Sequence, residues 1–206
     1  REEAVARALA RVESHGMVTV VGASGSGKSS LVRAGLVHAL RSGSLPGSSE
    51  WTFLAMTPGS HPIAELAAQL SSVTGTSPVT LLHDLESDVR FLDIAVRQLA
   101  ASSDDRRVVL VLDQLEELFT MCHERQHRDR FVELLLYAAT MLASRFILLV
   151  AVRADFYGEC AALGGFADLL ESTHMLLGPP SQDDLRAAIE MPAEVIGVSL
   201  EPGLTD

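Results

Sequence analysis

Short apolar runs alternate with amphipathic stretches along the chain, the pattern of βαβ units built around a parallel sheet. Met17–Val21 (MVTVV), Trp51–Thr57, Arg107–Leu112 and Phe146–Val152 (FILLVAV) read as buried strands, with His174–Leu177 as a last one. Helical periodicity covers Glu2 to about Glu13 and Lys28 to about Arg41. A further helix begins near Pro62, with Ile63, Leu66, Ala67 and Leu70 on one face. Ser71–Pro78 is polar and reads as a loop. Leu81 to about Ala101 reads as one helix with Leu85, Val89, Leu92, Val96 and Leu99 on one side. Two helices are expected over Glu116–Cys122 and Arg128–Ser144, and a short one over Phe166–Leu170. Pro179-Pro180 ends the last strand. Gln182–Glu190 then forms a helix with Ser181 as N-cap and Asp183 and Asp184 in its first turn.

Composition adds limits to this pattern. The 206 residues suit one α/β domain with the start of a second, and 48% hydrophobic residues allow a sizeable core. No apolar run approaches the ~20 residues that span a bilayer, so no membrane partner is expected. Arg1, Glu2 and Glu3 lead into a polar helix rather than a signal peptide. A net charge of −11 argues against nucleic acid as a partner of this domain, since phosphate backbones attract basic faces. Two cysteines, Cys122 and Cys160, make no disulfide framework, and a reducing cytoplasm is the simpler expectation. The chain starts without Met and stops at Thr205-Asp206, soon after a helical pattern, and reads as a domain cut from a longer protein.

The segment GASGSGKS, Gly22 to Ser29, fits G-x-x-x-x-G-K-[ST] between a strand and a helix. Glycines let the backbone approach oxygen atoms closely, and successive N–H groups form an anion nest. The following helix adds its positive end. Lys28 supplies a charge toward the β- and γ-phosphates, Ser29 a hydroxyl for Mg²⁺, and Ser30 a further hydrogen bond. The nucleotide-binding candidates are thus Gly22, Ser24, Gly25, Ser26, Gly27, Lys28, Ser29 and Ser30.

Hydrolysis needs more than a phosphate cradle. VVLVLD, Val108–Asp113, is an apolar strand ending in aspartate, which puts Asp113 at the ligand edge of a parallel sheet as a metal-orienting acid, with a helix N-cap as the plainer role. Many ATPases of the additional-strand class carry glutamate next, but here Gln114 follows, which orients water but accepts a proton poorly. Glu116 and Glu117 are the other candidates: either could bring a carboxylate to the γ-phosphate, or both could sit on a solvated turn. Arg153, at the end of FILLVAV, is a γ-phosphate sensor candidate, against an ion pair with Asp155. His123 and His127 are four apart beside Cys122 but have no further ligand at suitable spacing. Trp51 reads as core or sheet-edge packing.

GASGSGKSSLVRAGLVHAL, VLVLDQLEELFT and LLVAVRADFYG, in that order, resemble the bacterial "novel STAND" NTPase domains (signal transduction ATPases with numerous domains) over nearly the whole chain. TPGSHPIAELAAQL and LGPPSQDDLRAAIEMPAEVIGVSLEPGL extend the resemblance. It implies that Lys28 and Ser29 are the Walker A pair, Asp113 is Walker B, Glu116-Glu117 the acidic pair and Arg153 the sensor arginine. Arg1-Glu2 resembles the tail of a segment that lies near adenine, and Pro179 the proline that touches adenine where the chain enters a helical lid. The catalytic set is then Asp113, Glu116, Glu117 and Arg153, with Ser29 and Asp113 at the metal. The implied cofactors are ATP or ADP and Mg²⁺. The implied partners are an N-terminal effector, a C-terminal repeat sensor and further copies of the chain on activation. Related proteins rest bound to ADP and serve antiphage defence or regulation.

The expected function is therefore a slow ATPase switch. A nucleic-acid-acting machine ATPase and a non-hydrolysing nucleotide scaffold are the alternatives, and a small-molecule kinase lacks an evident acceptor site. The expected fold is a three-layer α/β/α P-loop NTPase of the additional-strand, AAA+-like type, with a mainly parallel sheet of about five strands. Residues 1–178 would form the core and 179–206 the start of the lid. The P-loop strand is expected at the centre, flanked by the Asp113 and Arg153 strands.

Overall fold

Alternation along the strands divides their side chains between two cores. In the computed structural model, which describes residues 1–141, 145–201 and 203, Val18 and Val20 face one side of the sheet while Met17 and Val21 face the other. The same period-2 division separates Val109 and Val111 from Val108, Leu110 and Leu112. The strands are β1 (Met17–Gly22), β2 (Thr52–Met56), β3 (Val108–Leu112), β4 (Phe146–Arg153) and β5 (His174–Leu176). All pairings are parallel, in the order β2-β3-β4-β1-β5. β1 and β3 are buried at every position, as expected of a parallel sheet covered on both faces.

One face carries α1 (Glu2–His15) and the helical segment that follows the P-loop. That segment comprises α2 (Lys28–Ser30), a π-helical stretch Leu31–Val37 and α3 (His38–Arg41). Ala8, Val12, Leu31, Val32, Leu36 and Leu40 close this core. The helices approach closely at Gly35, where an added Cβ would lie 2.8 Å from Val5 Cγ2. Helices of the other face include α4 (Pro62–Thr74), α5 (Pro78–Ser87), α6 (Phe91–Leu99), α8 (Arg125–Thr140) and α10 (Phe166–Thr173). The result is the expected three-layer α/β/α sandwich. Short helices α7 (Glu117–Thr120) and α9 (Tyr157–Ala161) follow β3 and β4, and α11 (Gln182–Val195) comes last.

Three expectations are corrected. The P-loop strand is neither central nor next to the Asp113 strand: β4 lies between β1 and β3, and β5 takes the other side of β1. Strand order depends on long-range pairing, which apolar patterning does not encode. Ser71–Pro78 is not all loop, because α4 runs to Thr74, stops at left-handed Gly75 and α5 starts at Pro78. The helix expected over 81–101 is two helices. Asp88 is extended there, and its carboxylate accepts from the Arg90 backbone N–H (2.9 Å) and pairs with its guanidinium (2.8 Å), a local competitor of helix hydrogen bonding. The expected end of the 128–144 helix at Ser144 lies outside the described residues, as does Thr205-Asp206. Ser181 does cap α11, in a reciprocal capping box with Asp184 (3.1 and 3.0 Å).

Candidate functional site

The parallel register brings the candidate residues to one edge. Gly22 and Arg153 are register partners at the carboxyl ends of β1 and β4, and Asp113 follows directly on β3. The bend of the loop needs glycine at Gly25 (φ 74°) and Gly27 (φ 86°). Gly22 is required for another reason, since a Cβ there would lie 2.6 Å from the Leu177 carbonyl oxygen and 2.7 Å from Ser26 Oγ.

The loop's polar groups satisfy one another. Lys28 Nζ donates to the carbonyl oxygens of Gly22 (3.0 Å) and Ala23 (2.7 Å), folding its charge over the nest. Ser29 Oγ donates to Asp113 Oδ1 (2.8 Å), which also accepts from Gln114 N–H (3.0 Å). Asp113 Oδ2 pairs with Arg33 Nε (2.9 Å). A serine hydroxyl and a carboxylate oxygen side by side suit a hard, oxygen-preferring cation, and the lysine and backbone nest suit phosphates. Mg²⁺ and a nucleotide therefore fit the residues present. Ser26 Oγ is buried without a hydrogen-bond partner among the described residues, another polar group at the loop.

Gln114 has φ 53°, the one positive φ of a non-glycine residue among the described residues, a conformation that costs L-residues about 1–2 kcal/mol. It turns the chain so that Asp113 N–H joins the β2 side (Met56 O, 3.0 Å) and Leu115 N–H the β4 side (Ala151 O, 3.0 Å). The Gln114 side chain is exposed.

The two glutamates separate. Glu116 Oε2 accepts from the Arg153 backbone N–H (3.2 Å), and Glu117 Oε2 from Gly59 N–H (3.2 Å). Each braces a neighbouring strand end or loop through a charge-assisted hydrogen bond. The Arg153 side chain pairs with Asp155 (2.6 and 3.1 Å) and lies over the Phe156 ring, 5.5 Å from its centre. The ion pair weighed from sequence is therefore present in this conformation. The Arg153 hydrogen bonds hold the Asp155 carboxyl below its ordinary range, with a smaller contribution from Lys28. Asp155 in turn raises the Arg153 guanidinium.

Beside the loop lies a cavity of about 430 Å³ whose walls include Val5, Gly27, Leu31, Gly35, Pro180 and Leu185. Ser30 and Arg1 also border it, and the Arg1 guanidinium donates to Ser26 O (2.9 Å). Pro180, one residue beyond the expected Pro179, forms the wall, while Pro179 is exposed. A second cleft of about 480 Å³, between Phe119, Arg128, Glu159 and Leu163, contains none of the loop residues. Among the described residues no cluster of His, Cys, Asp or Glu could hold a metal by itself, so Cys122, His123 and His127 make no such site. Trp51 is buried, and its Nε1 donates to Asp105 O (2.8 Å).

Sequence reading missed Arg33 and the loop contact of Arg1. The signal for Arg33 was its spacing, four residues after Ser29 on a helix and hence on the same face. The contact of Arg1 had no local signal.

Fold and site together define a P-loop NTPase domain with an additional strand between its two motif strands. The chain belongs to the novel STAND NTPase 1 family, whose model matches residues 1–206. No curated protein matches it. Solved structures share the fold. A Walker-type ATPase of Pyrococcus abyssi aligns with TM-score 0.59 and 16% identity over 98% of this chain and 59% of its own. The ORC2 protein of Aeropyrum pernix, in ADPNP and ADP complexes, aligns with TM-score 0.63 and 14% identity over 94% and 50%. The ORC1 protein of the same organism, in complex with DNA, aligns with TM-score 0.60 and 17% identity over 99% and 51%. The chain thus spans between about half and three-fifths of these structures. A DNA-bound protein shares the fold, so the fold does not exclude nucleic acid and only the acidic charge of this chain disfavours it. No helix among the described residues is long and apolar enough to cross a membrane.

Proposed function

We propose that this chain is the ATP/ADP-binding switch domain of a larger STAND-type signalling protein, with slow hydrolysis coupled to conformational change and oligomerisation. The observation that carries it is the contact of Ser29 Oγ with Asp113 Oδ1 at 2.8 Å, beside the Lys28 cradle, which joins phosphate loop and acidic strand in one site. Its fold neighbours include a protein in ADPNP and ADP complexes, which favours adenine nucleotides for this chain. Bound Mg²⁺ would supply charge neutralisation for the β- and γ-phosphates. Ser29 and Asp113 would hold it, while Lys28 and the loop N–H groups bind and orient the phosphates.

The cavity edged by Val5, Leu31, Pro180 and Leu185 suits a flat apolar base, with residues from 179 onward acting as the start of the lid. Arg153 serves as the γ-phosphate sensor, leaving Asp155 when a third phosphate arrives. Slow turnover follows from Gln114, a poor proton acceptor, and from the bracing hydrogen bonds that tie one oxygen each of Glu116 and Glu117 to the backbone. Full-length protein working as a cytoplasmic switch in bacterial defence or regulation fits this reading, with effector and sensor outside this chain.

The test is nucleotide content and turnover of the purified domain. Co-purified ADP with turnover well below one per minute supports the switch. Strong stimulation by DNA would instead support a nucleic-acid-acting ATPase, and nucleotide binding with no turnover a scaffold.

A further inference from the structure

A carboxylate as buried as Asp113, with 4% of its side chain exposed, is costly without a cation beside it. In this chain Arg33 supplies that cation, its Nε 2.9 Å from Oδ2, while Ser29 and Gln114 N–H occupy Oδ1. The Arg33 side chain is itself half exposed, at 52%, so its departure leaves no buried orphan of its own. It sits in the π-helical stretch Leu31–Val37, an irregularity that often marks functional positions.

We propose that Arg33 is a built-in counter-cation at the divalent-metal position, a positioning residue that holds Asp113 before metal arrives and competes with metal for it. The inference rests on the proposed nucleotide switch and adds its metal dependence. Like charges repel strongly across a carboxylate that is shielded from water. Mg²⁺ alone therefore gains little at Asp113, and its binding depends on the phosphates of a bound nucleotide. By linkage, Mg²⁺ then strengthens nucleotide binding by the same factor.

The experiment measures binding of fluorescently labelled ADP by anisotropy across a MgCl₂ titration, for wild type, Arg33→Gln and Arg33→Lys. Removing the charge should lower the Mg²⁺ concentration of half effect about fivefold, the scale of one partly solvated charge contact. Arg33→Lys keeps the charge and should stay within about twofold of wild type. A half-effect concentration that is unchanged or raised in Arg33→Gln would overturn the proposal, because a merely structural support of Asp113 would weaken metal binding when lost. Arg33→Lys falling as far as Arg33→Gln would overturn it too. If Arg33→Gln does not fold, Arg33→Lys decides alone, with a shift beyond twofold counting against the proposal. Failure of the wild type to bind labelled ADP at any Mg²⁺ concentration would sink the proposed switch, a distinguishable result.

Discussion

The phosphate end and the base end of the candidate site are built on different principles. At the phosphate end, polar groups leave the ends of buried strands and satisfy one another: Lys28 on Gly22 and Ala23, Ser29 on Asp113, Arg33 on Asp113, Glu116 on Arg153. Sheet register fixes Gly22 and Arg153, with Asp113 directly after β3, and the helical segment after the loop brings Lys28, Ser29 and Arg33 to them. At the base end, an apolar cavity is formed where α1 and the P-loop helix meet the start of α11. Away from the cavity α11 leaves apolar side chains exposed, Ile189 at 45% and Val195 at 84%. One end is a polar lattice and the other an apolar meeting of the first and last helices. On the proposed function, the first end would report phosphate number and the second would cover the base.

That contrast can be broken at either end. The largest effect is expected from Asp113→Asn, which keeps the shape but removes the charge proposed to orient metal. Any ATP turnover should fall by at least about 100-fold, the range of losing a major electrostatic contributor, while ADP affinity changes little. Single-turnover assays and equilibrium binding separate the two. Gly22→Ala comes next. Its Cβ would press on the Leu177 carbonyl and Ser26 hydroxyl, so denaturant unfolding should show a loss of about 1–3 kcal/mol and weaker phosphate binding.

At the other end, Leu185→Ser should weaken ADP about tenfold, the low end of the range for lost apolar contact in a pocket because Leu185 is half exposed, and leave pyrophosphate unchanged in competition titration. Equal loss for both ligands would merge the two ends. The smallest effect is at a distance. Arg90 holds the Asp88 carboxyl down to about 2, so its contribution is present above the unfolded value of 3.8 and fades as pH falls toward 2. Thermal melts of Asp88→Ala and wild type should differ slightly at pH 6 and converge near pH 2.

The phosphate end was legible because its signals are local. A glycine loop between strand and helix, an aspartate after VVLVL and an arginine after FILLVAV each occupy a few adjacent residues. The strand order was not legible, since β4 enters between β1 and β3 through pairings more than a hundred residues from β1. The split at Asp88 was missed because Leu85, Val89 and Leu92 keep helical spacing across it, while one side-chain hydrogen bond to Arg90 N–H decides the backbone. The base end was only partly legible. Pro180 rather than Pro179 lines it, and Val5 lines the same cavity as Leu185, 180 residues away in sequence, a juxtaposition that periodicity does not announce.

The central claim is that the loop from Gly22 to Ser29 grips nucleotide phosphates with Lys28 as its charge. Calorimetric titration of ADP and ATP into wild type and Lys28→Ala, both checked for native melting, tests it directly. The account predicts measurable binding to the wild type and a loss of about 100-fold or more in the variant, the scale of removing a buried charge-assisted contact. Unchanged affinity in a folded Lys28→Ala protein would contradict it.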